Sequence, residues 1–274
     1  MIGVFDSGYG GLTVLKEFVK QLPEYDYCYF GDNARAPYGM RSFETVYRYT
    51  LQCVKHMFDE GCRLVILACN TASAKALRTI QQRDLPTLDP QRRVLGVIRP
   101  SAEAVGQYTR TKYVGVLGTV GTVQSLSYHI EITKINPHIR IFQEACPMWV
   151  PLVENNEHLK DGADYFVQQH IHNLLQQSSD IDVIVLACTH YPLLINKIKK
   201  YVPSGIHILS QGSIVAKSLA NYLHRHPEME GRLGKNYARV FQTTDSQELF
   251  DRYASEFFGK NVKSEKVLLK SFGN

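Results

Sequence analysis

Val65-Ile66-Leu67-Ala68-Cys69-Asn70-Thr71 is an apolar, β-branched run that stops at a thiol and small polar groups. A run so short, apolar throughout and bounded by polar residues, reads as a strand buried on both faces of a parallel sheet. The pattern occurs twice, because Ile184-Val185-Leu186-Ala187-Cys188-Thr189-His190 also closes on Leu-Ala-Cys. Each copy delivers a cysteine to the carboxyl end of a strand, where open parallel sheets hold their ligands.

Working outward, Ile2 to Phe5 is a first strand, followed by the turn Asp6-Ser7-Gly8-Tyr9-Gly10-Gly11. Leu12, Val14, Leu15, Phe18 and Val19 then repeat at helical spacing up to Pro23. A strand over 25–30, a loop over 31–39, a helix over 42–60, the Cys69 strand and a helix over 72–82 continue the alternation. That order predicts a parallel α/β sheet with helices on both faces. Tyr113-Val114-Gly115-Val116-Leu117-Gly118-Thr119 repeats the strand, glycine and hydroxyl of Ile2 to Ser7. A similar length of chain separates Ser7 from Cys69 and Thr119 from Cys188. Two pseudo-symmetric α/β lobes are therefore expected, with a site in the cleft between them. Residues 1–94 and 208–274 are assigned to the first lobe, through a return strand over 238–242, and 95–207 to the second. The boundary is placed in the Pro/Arg-rich stretch from Pro86 to Gly96.

The 274 residues can bury two proper cores, and 44% apolar with 21% charged content is ordinary for a globular protein. The net charge of +5 is scattered, and Lys197-Ile198-Lys199-Lys200 reads as a solvated helix face, so no nucleic-acid partner is expected. With no long apolar span and a strand starting at Ile2, no leader or membrane segment is expected and the cytoplasm is the expected location. A homodimer is the expected assembly. Six cysteines without a Cys-x-x-Cys pair argue against a disulfide scaffold and against a metal site. Cys28, Cys53, Cys62 and Cys146 read as small buried hydrophobes.

Cys69 and Cys188 are different, as a matched pair at strand ends, each followed within two residues by threonine. Two thiols on opposite sides of one carbon can remove a proton from one face and return one to the other. Asp6 is placed to orient Cys69 and His190 to orient Cys188. The hydroxyls of Ser7, Thr71, Thr119, Thr122 and Thr189, with Asn70 and loop amides, offer carboxylate donors without an arginine. Gly8-Tyr9-Gly10-Gly11 does not fit a dinucleotide-binding fingerprint, and no P-loop or Gly-x-Ser-x-Gly elbow is present.

Gly3-Val4-Phe5-Asp6-Ser7-Gly8, Gly31-Asp32 with Pro37-Tyr38-Gly39, Ala68-Cys69-Asn70-Thr71-Ala72, Pro147 to Glu154 and Ala187-Cys188-Thr189-His190-Tyr191-Pro192 together resemble glutamate racemase, within the aspartate/glutamate racemase family. The likeness runs from residue 2 to about 195. Its first glycine-rich loop separates it from the aspartate racemases. The resemblance implies a cofactor-independent enzyme that interconverts L- and D-glutamate and supplies D-glutamate for bacterial peptidoglycan. It implies that Cys69 takes the proton from D-glutamate and Cys188 from L-glutamate. Asp6 would assist Cys69, and His190 and Glu154 would assist Cys188. Asp6, Ser7, Pro37, Tyr38, Gly39, Asn70, Thr71, Thr119, Thr122, Thr189 and His190 match substrate-binding positions. Two places depart from the pattern: the stretch Leu209-Ser210-Gln211-Gly212, in which Gln211 is singled out, stands where many members have an acidic residue, and Trp149 is bulky near a cleft-adjacent segment. Both are expected to act on subunit contacts or regulation.

Overall fold

In the computed structural model, which describes residues 1–269, the two decisive runs occupy equivalent places in two parallel sheets. Strands β1 (Ile2–Asp6), β2 (Tyr27–Gly31), β3 (Leu64–Leu67) and β4 (Arg93–Gly96) build the first. Strands β5 (Tyr113–Gly118), β6 (Arg140–Ala145), β7 (Val183–Ala187) and β8 (His207–Ser210) build the second. The chain then returns to the first sheet with β9 (Arg239–Thr243) and β10 (Glu265–Lys266). The orders are β10-β9-β2-β1-β3-β4 and β6-β5-β7-β8, with every pairing parallel. Removing β9 and β10 leaves β2-β1-β3-β4 against β6-β5-β7-β8, the same order twice. The pseudo-symmetric lobes are thus a repeat of topology as well as of motif.

Strands β1, β3 and β7 are buried along their whole length, as unbroken apolar runs require when helices cover both faces. The helix Leu12–Gln21 buries Leu12, Val14, Leu15 and Phe18 against the first sheet and exposes its lysines and Glu17 in part or in full. The helix Phe43–Asp59 starts on Ser42, whose hydroxyl accepts from the Thr45 N–H, and buries Val46, Leu51, Val54 and Met57. Cys28, Cys53, Cys62 and Cys146 lie fully buried as free thiols. Among the described residues, no helix is long and apolar enough to cross a membrane.

Two boundaries differ from expectation. The Pro/Arg-rich stretch ends in a strand, β4, so the first sheet extends to Gly96 rather than stopping at 94. Strand β8 belongs to the second sheet through Ser210 rather than lying beyond a division at 207. Both are edge strands, one face of each partly exposed, so neither carries the continuous apolar run that marks a central strand. The helix expected over 72–82 begins earlier, at Asn70, and its first segment ends at Lys75. The last five residues of the expected first lobe, 270–274, lie outside the described residues.

Candidate active site

Register places the paired motifs side by side. Phe5 is opposite Leu67 in the β1–β3 ladder, so Asp6-Ser7 and Ala68-Cys69 leave adjacent strands at the same level. Gly118 is opposite Ala187 in the β5–β7 ladder, so Thr119 and Cys188 leave theirs together. Cys69 is the N-cap of the helix Asn70–Lys75, its Sγ accepting from the Ala72 N–H at 3.5 Å. The Ser7 hydroxyl lies 3.5 Å from the same sulfur. On the other side, Cys188 Sγ is 3.8 Å from His190 Nδ1, and His190 Nε2 is 3.0 Å from Glu154 Oε1. The second sulfur therefore heads a Cys–His–Glu chain.

Asp6 joins the two halves. Its Oδ1 accepts from the Gly8 N–H at 2.9 Å, and its Oδ2 accepts from Thr189 Oγ1 at 3.3 Å. The hydrogen bond to the Cys69 sulfur comes from Ser7, while the Asp6 carboxylate is held by the Gly8 N–H and Thr189 and acts on Cys69 through its charge. The glycine-rich turn has a steric reason as well. A Cβ on Gly10 would stand 2.2 Å from Thr189 Oγ1 and 2.5 Å from His190 Nδ1, so only glycine lets this turn meet the Cys188 loop.

Burial pushes the Cys69 thiol up to about 12, and the neighbouring charges of Asp6 and Cys188 add to the rise. The Ser7 hydroxyl and the Ala72 N–H oppose it by hydrogen-bonding to the sulfur. For His190, burial opposes the charged form, yet the hydrogen bonds to Cys188 and Glu154 win and hold the ring well above its ordinary value. Asp6 is raised by burial, against lowering from His190 and from the Gly8 and Gly11 N–H groups. Hydrogen bonding thus favours the charged form of the imidazole beside Cys188, while burial favours the neutral thiol at Cys69.

The sequence profile of the Asp/Glu/hydantoin racemase family matches residues 2–219. A Bacillus cereus glutamate racemase is 37% identical over 97% of this chain and 95% of its own length. The chain belongs to the glutamate racemase family. Crystal structures agree: a Bacillus anthracis glutamate racemase aligns with a TM-score of 0.89 at 35% identity, covering 98% of this chain and 97% of that one. A Francisella tularensis glutamate racemase, solved in complex with D-glutamate, aligns at 0.87 and 30% identity over 99% and 98%. The protein is an amino-acid racemase, an isomerase.

In this racemase the remaining residues singled out by sequence divide into two groups. Thr71, Thr119 and Thr122 form a row of hydroxyls, with Oγ1 atoms 2.9 Å and 3.0 Å apart in succession. Thr119 also caps the helix Val120–Gln124 and lies against Gly39. The Gly121 N–H donates to the Gly39 carbonyl at 2.8 Å, a direct bond between lobes at the mouth of the cleft. Tyr38 and Pro37 belong to the second group. The Tyr38 ring turns into the first lobe against Phe5, and its hydroxyl donates to Asp32, while Pro37 is exposed.

Gln211 and Trp149 do not reach the surface. Trp149 is fully buried, 4.8 Å from the ring of Tyr191, and Gln211 is buried in contact with Asn70. Their burial leaves neither side chain free to touch a second subunit directly, and the regulatory part of the expectation is independent of it. Sequence reading also passed over Lys75, a residue 8% exposed whose ammonium donates to the Arg41 carbonyl at 2.7 Å. A Cβ on Gly121 would fall 2.8 Å from that ammonium, so Lys75 packs beside the lobe-to-lobe bond. Its one signal was the spacing of four from Thr71, which puts both on one helix face.

Proposed function

We propose that the protein interconverts L- and D-glutamate by proton transfer at Cα between Cys69 and Cys188, in the cytoplasm and as a homodimer, supplying D-glutamate for peptidoglycan. One observation carries this reading: equivalent strands of the two lobes each present a thiol at the same level, and the lobes are hydrogen-bonded around them through Asp6–Thr189 and Gly39–Gly121.

The step is balanced in protons. A thiolate on one side takes the Cα proton, and the thiol on the other side gives its own, so each turnover exchanges the two sulfur states. His190, held by Glu154, sits beside Cys188 and can hydrogen-bond that sulfur as it takes and releases the proton. Cys69, raised to about 12, then holds the proton to be delivered. L-glutamate would lose its proton to Cys188 and gain one from Cys69. D-glutamate runs the steps in reverse, and Ser7 with the Ala72 N–H supports the Cys69 thiolate this requires.

The hydroxyls of Thr71, Thr119 and Thr122 would hold one carboxylate of the substrate. Ser7, Asn70 and Thr189, near the sulfurs, would hold the other. A closed, desolvated cleft raises the value of each such contact for the carbanion-like transition state. The family resemblance and the Francisella tularensis relative solved with D-glutamate support glutamate as the substrate.

The experiment is to incubate L-glutamate with purified enzyme, without added cofactor, in deuterated water. Loss of optical activity, with one solvent deuterium at Cα of the D-glutamate formed, is the expected result. Unchanged L-glutamate, or D-glutamate retaining its original hydrogen, would overturn the two-thiol reading.

A further inference from the structure

The chain passes between the lobes after β4 and again after β8, and the two passages meet at Val97 and Gln211. The Gln211 amide is buried and engaged at both ends. Its Nε2 donates to Ser101 Oγ at 2.8 Å and to Tyr128 Oη at 2.5 Å, and faces the Val97 carbonyl oxygen at 3.4 Å. Its Oε1 accepts from Asn70 Nδ2 at 2.7 Å, and Tyr128 closes the ring by donating to Asn70 Oδ1 at 2.7 Å.

The sense of every bond follows from one atom. A backbone carbonyl only accepts, so the Val97 oxygen takes the Ser101 proton and lies beside the nitrogen of Gln211 rather than its oxygen. Ser101 gives its proton to the same carbonyl at 2.9 Å and keeps lone pairs for Gln211. The oxygen of Gln211 then faces Asn70, which must turn its nitrogen there and its oxygen to Tyr128. Asn70 directly follows Cys69 and keeps one N–H outside this ring.

We propose that Gln211 and Tyr128 are positioning residues for the racemase: they lock the Asn70 amide so that its second N–H serves a substrate carboxylate. This rests on the reading of Asn70 as a substrate-binding residue. It also ties that donor to the seam where the chain passes between the lobes.

The test is steady-state racemisation of both glutamate enantiomers by Asn70→Ala, Tyr128→Phe and Gln211→Glu variants, with thermal unfolding of each measured alongside. Tyr128→Phe removes one donor and keeps the ring. Gln211→Glu replaces the nitrogen by a second acceptor, so Tyr128 turns its proton to the carboxylate and Asn70 Oδ1 loses its donor. A contact held equally in ground and transition states moves KM alone, so KM should rise about tenfold in both variants with kcat within about threefold. A purely structural role would lower Tm and leave KM where it was. If Gln211→Glu does not fold, Tyr128→Phe decides the matter. KM unchanged in the folded variants, while Asn70→Ala raises it, overturns the proposal and leaves Asn70 as a substrate contact. Unchanged KM in Asn70→Ala removes that contact and the proposal with it.

Discussion

The two sulfurs stand at topologically equivalent corners and are equally buried, each 6% exposed, yet their neighbours differ in kind. Cys69 has neutral partners, a serine hydroxyl and a backbone N–H at a helix N-cap. Cys188 has an ionisable one, an imidazole whose charged form is favoured by its hydrogen bonds to Cys188 and Glu154. Equal burial means that the asymmetry comes from these neighbours rather than from solvent. A repeated scaffold therefore supplies symmetry of position, while the loops supply asymmetry of charge. In the proposed reaction this difference gives each sulfur its own supporting group for the direction in which it acts as the base.

The strongest way to break the comparison is to remove either sulfur's acidity. Cys69→Ser and Cys188→Ser should each lower racemisation by about a thousandfold or more, since each direction uses both groups as base or acid. Chiral chromatography of L-glutamate reactions measures it, and near-normal turnover in either variant would end the two-base scheme. The folds should survive, because serine replaces a sulfur without adding bulk.

Next in size is the charge beside Cys188. Glu154→Gln removes a partner that raises the His190 pKa, so the ring should lose its proton at lower pH. Activity should fall about tenfold at pH 8, and the alkaline limb of the pH–rate profile should move toward neutrality. An unmoved limb would mean that His190 does not set it. Stability follows the same sign. The folded ring binds its proton more tightly than the unfolded chain, so the linked stabilisation is complete below the ordinary imidazole pKa. It is lost as pH rises through the folded value.

How far this asymmetry could be read beforehand depends on which residues carry it. The thiols were legible because both sit in an apolar run whose period and ending mark a buried strand. His190 was legible because it lies two residues from Cys188. The division of roles between Asp6 and Ser7 was not, since adjacent residues leave a strand on opposite sides and the Gly8 turn decides which one faces the sulfur. Gln211, Tyr128 and Lys75 lie far along the chain from their partners or within an ordinary helical stretch. Their significance exists only once the lobes are packed. The edge strands β4 and β8 escaped for a related reason: half-exposed strands lack the apolar signature of central ones.

A finer effect sharpens the comparison from the Cys69 side. Ser7→Ala removes a hydrogen bond that favours the Cys69 thiolate, and kcat should fall about fivefold. The two enantiomers have equal free energy, so kcat/KM must stay equal in both directions whatever the variant. The asymmetry therefore shows in the separate kcat and KM values and, most directly, in isotope effects. With the Cys69 step slowed, the effect for α-deuterated D-glutamate should grow and that for α-deuterated L-glutamate shrink. Glu154→Gln should give the opposite pair, and the same direction of change in both variants would refute separate roles for the two sides.

The smallest effect belongs to the Tyr38 side chain, whose ring and hydroxyl are engaged within the first lobe. Its ring packs 6.2 Å from Phe5 and 5.8 Å from Tyr49, and its hydroxyl serves Asp32, which also receives Arg35 Nε at 2.7 Å and Thr244 Oγ1 at 2.9 Å. Asp32 therefore keeps two other donors when the phenol is lost. Tyr38→Phe should keep the loop in place, so kcat/KM for glutamate should stay within about threefold of the parent. A loss of a hundredfold would mean that the hydroxyl reaches the substrate. Gly39 is the more demanding neighbour, because a side chain there would meet Thr119 at 3.1 Å and spread the mouth that the Gly39–Gly121 bond closes.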